Sequence, residues 1–333
     1  MVGILDAQSD PRSSLCLFHT YVANKYPPVP TEPIERKPID GSAMASVLAR
    51  SNNALNVNPP TADNHLTVHG SDWLWAVTAI YLLAFLIFLA HGFVARHGEM
   101  IFHYLFGIAS FTGGIAYFAM ASDLGNTPVR TELNNGGDGS ITRQIWYARY
   151  INWFVGWAML DIAVLLLSGV SWATVLFSVG LSWIWVSSWL SGAFVVSPYK
   201  WGFFAFGTFA FLALAFHLGY HGSASARRIG SSKHYSMTTF LLLFIWMLYP
   251  IAWGLDEGGN KISVTSGFVF YGILDIITVP VLGFLFLVLG GSWDYGALGL
   301  QFTQYGRLGR KEGGVFPEKE AAQASGAADT RAV

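Results

Sequence analysis

Phe270-Tyr271-Gly272-Ile273-Leu274-Asp275-Ile276-Ile277-Thr278-Val279-Pro280 carries one carboxyl side chain, Asp275, and no Lys or Arg, within an apolar run over about 264–290. A helix that crosses a bilayer needs roughly 20 mostly apolar residues. The run is long enough. Asp275 and Val279 stand four apart and share a helix face. A carboxyl group inside a membrane span is costly and marks a functional candidate.

Runs of the same kind recur upstream. No Asp, Glu, Lys or Arg lies between Asp72 and Arg96, between Glu99 and Asp123, or over 162–199, 201–226 and 235–255. Ser168-Gly169-Val170-Ser171 divides the long central stretch. Seven spans result, at about 72–95, 100–121, 143–167, 171–196, 199–220, 234–255 and 264–290. The whole chain of 333 residues is 53% hydrophobic and 12% charged, against about 25% charged in soluble domains. A soluble core cannot usefully bury seven such helices in a chain of this length. The expected fold class is an all-α membrane protein, a seven-transmembrane helix bundle.

The net charge of −1 says little, but its distribution says more. Arg96 follows span one, Arg227, Arg228 and Lys233 follow span five, and Arg307, Arg310 and Lys311 follow span seven. With alternating helices these ends lie on one side, which the positive-inside rule makes cytoplasmic. The amino terminus is then extracellular. Cys16 is the single cysteine, so no intramolecular disulfide is expected. The first strongly apolar stretch is span one itself, so no signal peptide is expected.

Besides Asp275, the ionisable residues inside spans are Arg149 and Asp161, with Arg143 near an edge. On span six, Trp246, Tyr249, Pro250 and Trp253 fall at i, i+3, i+4 and i+7, one helical face. Taken alone, such a stripe is more often core packing than a binding site. His91, His103 and His217 read as isolated interfacial residues. No phosphate loop, metal-ligand His/Cys cluster or catalytic triad is evident. No enzyme activity, metal or nucleic-acid partner is expected.

Taken together, these segments resemble the microbial rhodopsin family. Arg149-Tyr150-Ile151-Asn152-Trp153 is similar to its third-helix signature, Trp246-x-x-Tyr249-Pro250-x-x-Trp253 to its sixth, and the Asp275 segment to its seventh. The resemblance covers roughly 66–290 and implies a bacteriorhodopsin-like bundle. In that family the residue four after the aspartate is the lysine that holds retinal as a Schiff base. Here it is Val279, which has no amine. Asn152 replaces the aspartate that accepts the Schiff-base proton, and an amide cannot take that proton. Ala163 falls at the position of the pumps' proton donor, two residues from Asp161. Covalent retinal is therefore not expected. One simple reading pairs Arg149 with Asp275, with Tyr117 reaching that pair through its hydroxyl, as its counterpart does in the family.

The resemblance also assigns a pocket. Trp153, Trp246, Tyr249, Pro250 and Trp253 match its lining, and Phe203 and Phe204 match aromatic wall positions. Trp157 stands where pumps carry threonine. On span four, Trp183, Trp185 and Trp189 stand where small or flexible residues usually line the ring end of retinal. Each Trp brings on the order of 150–250 Å² of surface, so together they are expected to close the cavity.

Three regions are expected along the chain. Residues 1–70 form a polar extracellular tail, whose first 43 residues read as an upstream extension with natural initiation at Met44. An intact mass of the natural protein that starts earlier would exclude this. Residues 71–290 form the seven-helix domain, and 291–333 a flexible cytoplasmic tail. Asn134-Asn135-Gly136-Gly137-Asp138-Gly139 favours tight turns, and the resemblance implies a β-hairpin there, between spans two and three. The resemblance is closest to fungal opsin-related plasma-membrane proteins, which lack the lysine and include heat-shock and stress-induced members. It implies a non-photochemical regulator or chaperone-like partner of other membrane proteins, such as a proton-pumping ATPase. The alternatives are a non-covalent binder of retinal, a sterol or another apolar ligand, and a passive ion or proton path. The lipid bilayer is one partner, and a homo-oligomer stays open.

Overall fold

A computed structural model describes residues 52–95, 99–131, 141–295, 298 and 300. The expected upstream extension, Met44, Cys16, the hairpin tip and most of the carboxyl-terminal tail lie outside the described residues. Within the unit Asn52–Val333, seven helices are long and apolar enough to cross a membrane. They are α1 (Val68–Gly92), α2 (Met100–Ala121), α3 (Tyr147–Ser168), α4 (Trp172–Phe194), α5 (Lys200–Arg228), α6 (Ser232–Gly258) and α7 (Val264–Gly290).

Local chemistry sets several boundaries. Thr67, Ser171 and Ser263 cap α1, α4 and α7, each accepting a backbone N–H from three residues on. Gly169 ends α3 with a left-handed φ of 65°, a conformation that disfavours any side chain with a Cβ. Two prolines perturb helices from within. Pro250 cannot donate to the Trp246 carbonyl, and α6 breaks its regular α-turns at Met247. Pro280 sits in a π-helical turn, Ile277–Val281, of α7. Further π-helical turns occur at His217–Gly222 in α5 and Gly254–Gly258 in α6. They carry those helices past the ends expected at 220 and 255.

Helices adjacent in sequence pack side by side, α7 also packs on α1, and α6 packs on α3. Between α2 and α3, β1 (Thr127–Arg130) pairs antiparallel with β2 (Thr142–Ile145). Residues 143–145, expected to start span three, are therefore part of a strand. The end of the bundle with these strands is termed the hairpin end, and the other the tail end.

The segment before α1 is also part of the folded body. Asn64 adds to the outer edge of β2, with Asn64 N donating to Thr142 O (2.9 Å) and Gln144 N to Asn64 O (3.1 Å). Leu66 is fully buried. The Thr142 backbone N–H and hydroxyl donate to Asp63, both at 2.8 Å, and hold its carboxyl below the usual carboxylate range. The nearby Asp123 is pushed the other way by burial, against a hydrogen bond from Gln144. The boundary of the seven-helix body thus lies earlier than residue 71. At the tail end it lies later than 290, because Trp293, Leu298 and Leu300 are buried.

Candidate functional site

Asp275 projects from the middle of α7 into the bundle and is 2% exposed. Three side chains donate to its carboxylate: Tyr117 from α2 at 2.6 Å, Tyr249 from α6 at 2.6 Å and Trp153 from α3 at 3.0 Å. No ion pair reaches it among the described residues. The expected Arg149–Asp275 pair does not form. Three hydrogen-bond donors from three other helices take the place of the cation. Val279 lies one turn further along α7 and is buried. Asn152 is buried on α3 close to Gly113, whose missing side chain leaves room for it and for the Tyr81 ring.

Next to this carboxylate, the space between α3, α4 and α6 is packed with indoles. Trp157 stacks on Trp153 at 5.0 Å between ring centroids and 12° between planes. The Trp157 ring also lies 4.2 Å from Trp185, 5.0 Å from Tyr249 and 5.6 Å from Trp246. It therefore occupies the middle of the group that the sequence places around a pocket. A second group continues toward the hairpin end. Trp189 and Trp253 lie 6.0 Å apart, Phe204 stacks on both, and Trp253 Nε1 donates to Tyr150 Oη at 2.9 Å. Aromatic pairs at these separations contribute about 0.5–1.5 kcal/mol each beyond simple burial.

Two expected members face elsewhere. Trp183 is 43% exposed and stacks on Phe154 at the outer surface of the bundle. Phe203 is likewise exposed, one position off the inward face that Phe204 occupies. Adjacent helical residues point about 100° apart, so only one of the two can line the interior.

At the hairpin end lies a buried ionic group. Arg149 Nη1 contacts Glu257 at 2.6 Å and Asp256 at 3.3 Å. Arg143 pairs with Asp256 through its other oxygen, and donates to Asn260 Oδ1 at 2.5 Å and the Ile262 carbonyl at 2.8 Å. Tyr271 Oη donates to Glu257 at 2.9 Å. The guanidinium of Arg149 lies over the Tyr271 and Phe268 rings at 4.1 and 4.5 Å. Two guanidinium groups thus face two carboxylates, and Lys200 Nζ donates to the Glu257 carbonyl at 3.2 Å beside them. Asp256 and Glu257 were missing from the sequence-based site because the apolar run of span six ends at Leu255. The available signal was Arg149 itself, since a buried cation demands a partner.

Asp161 forms a third, separate polar point. It is fully buried on α3, accepts a hydrogen bond from Ser182 of α4, and leaves Oδ1 without a partner. Arg149, Trp153, Trp157 and Asp161 recur every four residues along α3. Two tryptophans therefore stand between the ionic group and Asp161. The histidines read as isolated are in fact paired. His91 Nδ1 lies 2.7 Å from His103 Nε2, and His217 bonds Ser178 at 2.8 Å beside His221. These partners are distant in sequence or sit on a π-helical turn, so linear spacing conceals them. No group of three His, Cys, Asp or Glu placed to hold a metal occurs among the described residues.

A seven-helix bundle with an interior carboxylate on its last helix, a Trp-Tyr-Pro-Trp face on its sixth and a buried arginine on its third has the architecture of a microbial rhodopsin. Residues 70–291 match the model of the family described as bacteriorhodopsin-like protein. The opsin-like protein carO of Fusarium fujikuroi is 42% identical over 262 residues, covering 76% of this chain and 85% of its own. The 30 kDa heat shock protein of Saccharomyces cerevisiae is 32% identical, with 72% and 77% covered. Among solved structures, the light-driven proton pump LR (Mac) of Leptosphaeria maculans superposes with a TM-score of 0.64 at 30% identity, covering 68% of this chain and 96% of that one. The chain belongs to the bacteriorhodopsin-like family, and within it to the fungal opsin-related membrane proteins.

Proposed function

We propose that this protein is a non-photochemical, stress-associated membrane protein that acts through contacts with other membrane proteins, as a regulator or chaperone-like partner. The observation that carries this reading is the Trp157 ring lodged among Trp153, Trp185, Trp246 and Tyr249. Retinal does not fit these residues. Val279 offers no amine, and an indole fills the space between the walls that would clasp a polyene. The same packing weighs against a non-covalent ligand in the bundle centre. It also weighs against an ion path, because Trp153 and Trp157 stand between Arg149 and Asp161 along α3. The similarity to a yeast heat shock protein supports the stress association.

The plasma membrane is the proposed location, with the hairpin end outside. Arg227 and Arg228 in the last turn of α5 and Lys233 at the start of α6 crowd the tail end. At the hairpin end, Arg143 and Arg149 are neutralised by Asp256 and Glu257, and Lys200 is buried with Nζ donating to the Glu257 carbonyl, which leaves the exposed Arg130 and Lys261 there. Free positive charge near span ends marks the cytoplasmic side.

The test is made in the native host. ATP hydrolysis by the plasma-membrane proton pump is measured after heat or acid stress in a strain lacking this protein, alongside covalent capture of membrane neighbours from the intact strain. The reading expects altered pump activity, rescue by the wild-type chain, and capture of the pump or of other integral membrane proteins. Unchanged activity together with no captured membrane protein overturns it.

A further inference from the structure

A groove of about 370 Å³ lies between the tail-end halves of α1 and α2, away from the central tryptophans. Small-molecule pockets span roughly 300–1,000 Å³. Phe88 forms a fully buried floor, backed by Phe106 and Phe284 at 5.8 and 4.9 Å. Phe85 and Phe111 meet at 4.7 Å toward the middle of the bundle. Tyr104 and Ile108 form part of a rim that is about half exposed on the outer face of α2, where the bilayer lies. Gly107 leaves the wall of α2 open. The nearest atom to a Cβ built there is Phe85 Cδ2, at 4.0 Å.

The polar side chains of the described lining are His103 and Tyr104, neighbours in sequence at the start of α2. His103 lines the groove and is 4% exposed. Its Nδ1 lies 3.0 Å from the Glu99 carbonyl, which can only accept, so Nδ1 carries the proton. His103 Nε2 then accepts from His91 Nδ1–H at 2.7 Å. That bond leaves Nε2 of His91, an exposed residue next to the lining Gly92, with a lone pair for an outside donor. No Asp, Glu, Lys or Arg is among the described lining residues. A molecule with a flat apolar body and one hydroxyl matches the aromatic walls, with the Tyr104 hydroxyl on the rim and the His91–His103 pair beside it as its polar partners.

We propose that the α1–α2 groove binds a membrane sterol, its ring system on Phe85, Phe88 and Phe111 and its hydroxyl toward the His91–His103 pair. This site is independent of the partner reading above, and it places apolar-ligand binding on the outside of the bundle. The experiment uses the full chain in lipid nanodiscs with a diazirine-bearing ergosterol analogue, followed by peptide mapping of the photoproduct. The label is expected on 85–111, displaced by unlabelled ergosterol and not by phosphatidylserine. Two variants fill the groove, Gly107→Phe from its wall and Leu89→Trp from its exposed rim. Each is expected to cut labelling about tenfold with the thermal midpoint retained. Should Gly107→Phe fail to fold, Leu89→Trp decides alone. Label spread evenly over the outer faces of α5 and α6, label unaffected by a folded filled variant, or displacement by phosphatidylserine as well as ergosterol would overturn the proposal.

Discussion

Asp275 and Asp161 are two buried carboxyl groups with opposite surroundings, and substitution should separate them. Asp275 accepts from Tyr117, Tyr249 and Trp153 through both oxygens. Asn keeps one acceptor oxygen and turns an NH2 group toward a former donor, so Asp275→Asn should cost about 1–3 kcal/mol. Asp161 receives one bond, from Ser182, and has no cation in contact among the described residues. Asn can still accept from Ser182, and the substitution removes a group whose ionised form is unpaired. Asp161→Asn should leave the thermal midpoint in detergent unchanged or raised, whereas Asp275→Asn should lower it. Equal losses would contradict the two descriptions. At this scale the sequence exposed both acids plainly, because a lone Asp in an apolar run is conspicuous. It did not reveal their partners. Tyr117, Ser182 and Tyr249 are ordinary helix residues until the helices are assembled. The Arg149–Asp275 pairing was inferred from charge alone, with Asp256 and Glu257 left out of the count.

At the scale of elements, the hairpin end is held by two devices. The first is the ionic group joining α3 and β2 to α6. Arg149 is 1% exposed and lies between Asp256 and Glu257. Arg149→Gln would remove the guanidinium that contacts both buried carboxylates, at a cost of about 3–5 kcal/mol. The double variant Arg149→Gln/Glu257→Gln should recover part of the lost thermal midpoint. Additive losses would contradict the coupling. The second device is the segment before α1, tied to β2 through Asp63 and Asn64. Asp63 is held below its ordinary value of 3.8 by the Thr142 N–H and hydroxyl. Its ionised form therefore stabilises the fold. That contribution is complete above pH 3.8 and is lost as pH falls through the lower folded value. Hydrogen exchange at the Thr142 amide should stay protected near neutral pH and open below that range. Loss of protection already at pH 5 to 6 would point to a different group. Apolar runs located all seven helices. They placed ends less well where a π-helical turn extended α5 or α6, and where a polar stretch such as Asn52–Thr67 folds through contacts with β2 rather than through its own periodicity.

Over the whole molecule, the fold of a light-driven pump is kept while its interior is rebuilt. The outline was legible from hydropathy and three short motifs. The packing was only partly legible. Trp157, Trp185 and Trp189 turn inward, while Trp183 turns to the outer surface, a distinction set by helix rotation that residue type cannot report. Two features act together in the proposed reading: Val279 offers no amine, and Trp157 packs among Trp153, Trp185, Trp246 and Tyr249. Because an indole at the centre contacts three helices, restoring the amine alone should not restore a chromophore site. The direct measurement is the visible spectrum of purified Val279→Lys expressed with all-trans retinal, taken on protein whose folding is verified by its thermal midpoint. Absence of any visible band in this folded variant is the result predicted for a closed interior. A retinal band would contradict it, and would mean that the pocket persists and only its anchor is gone.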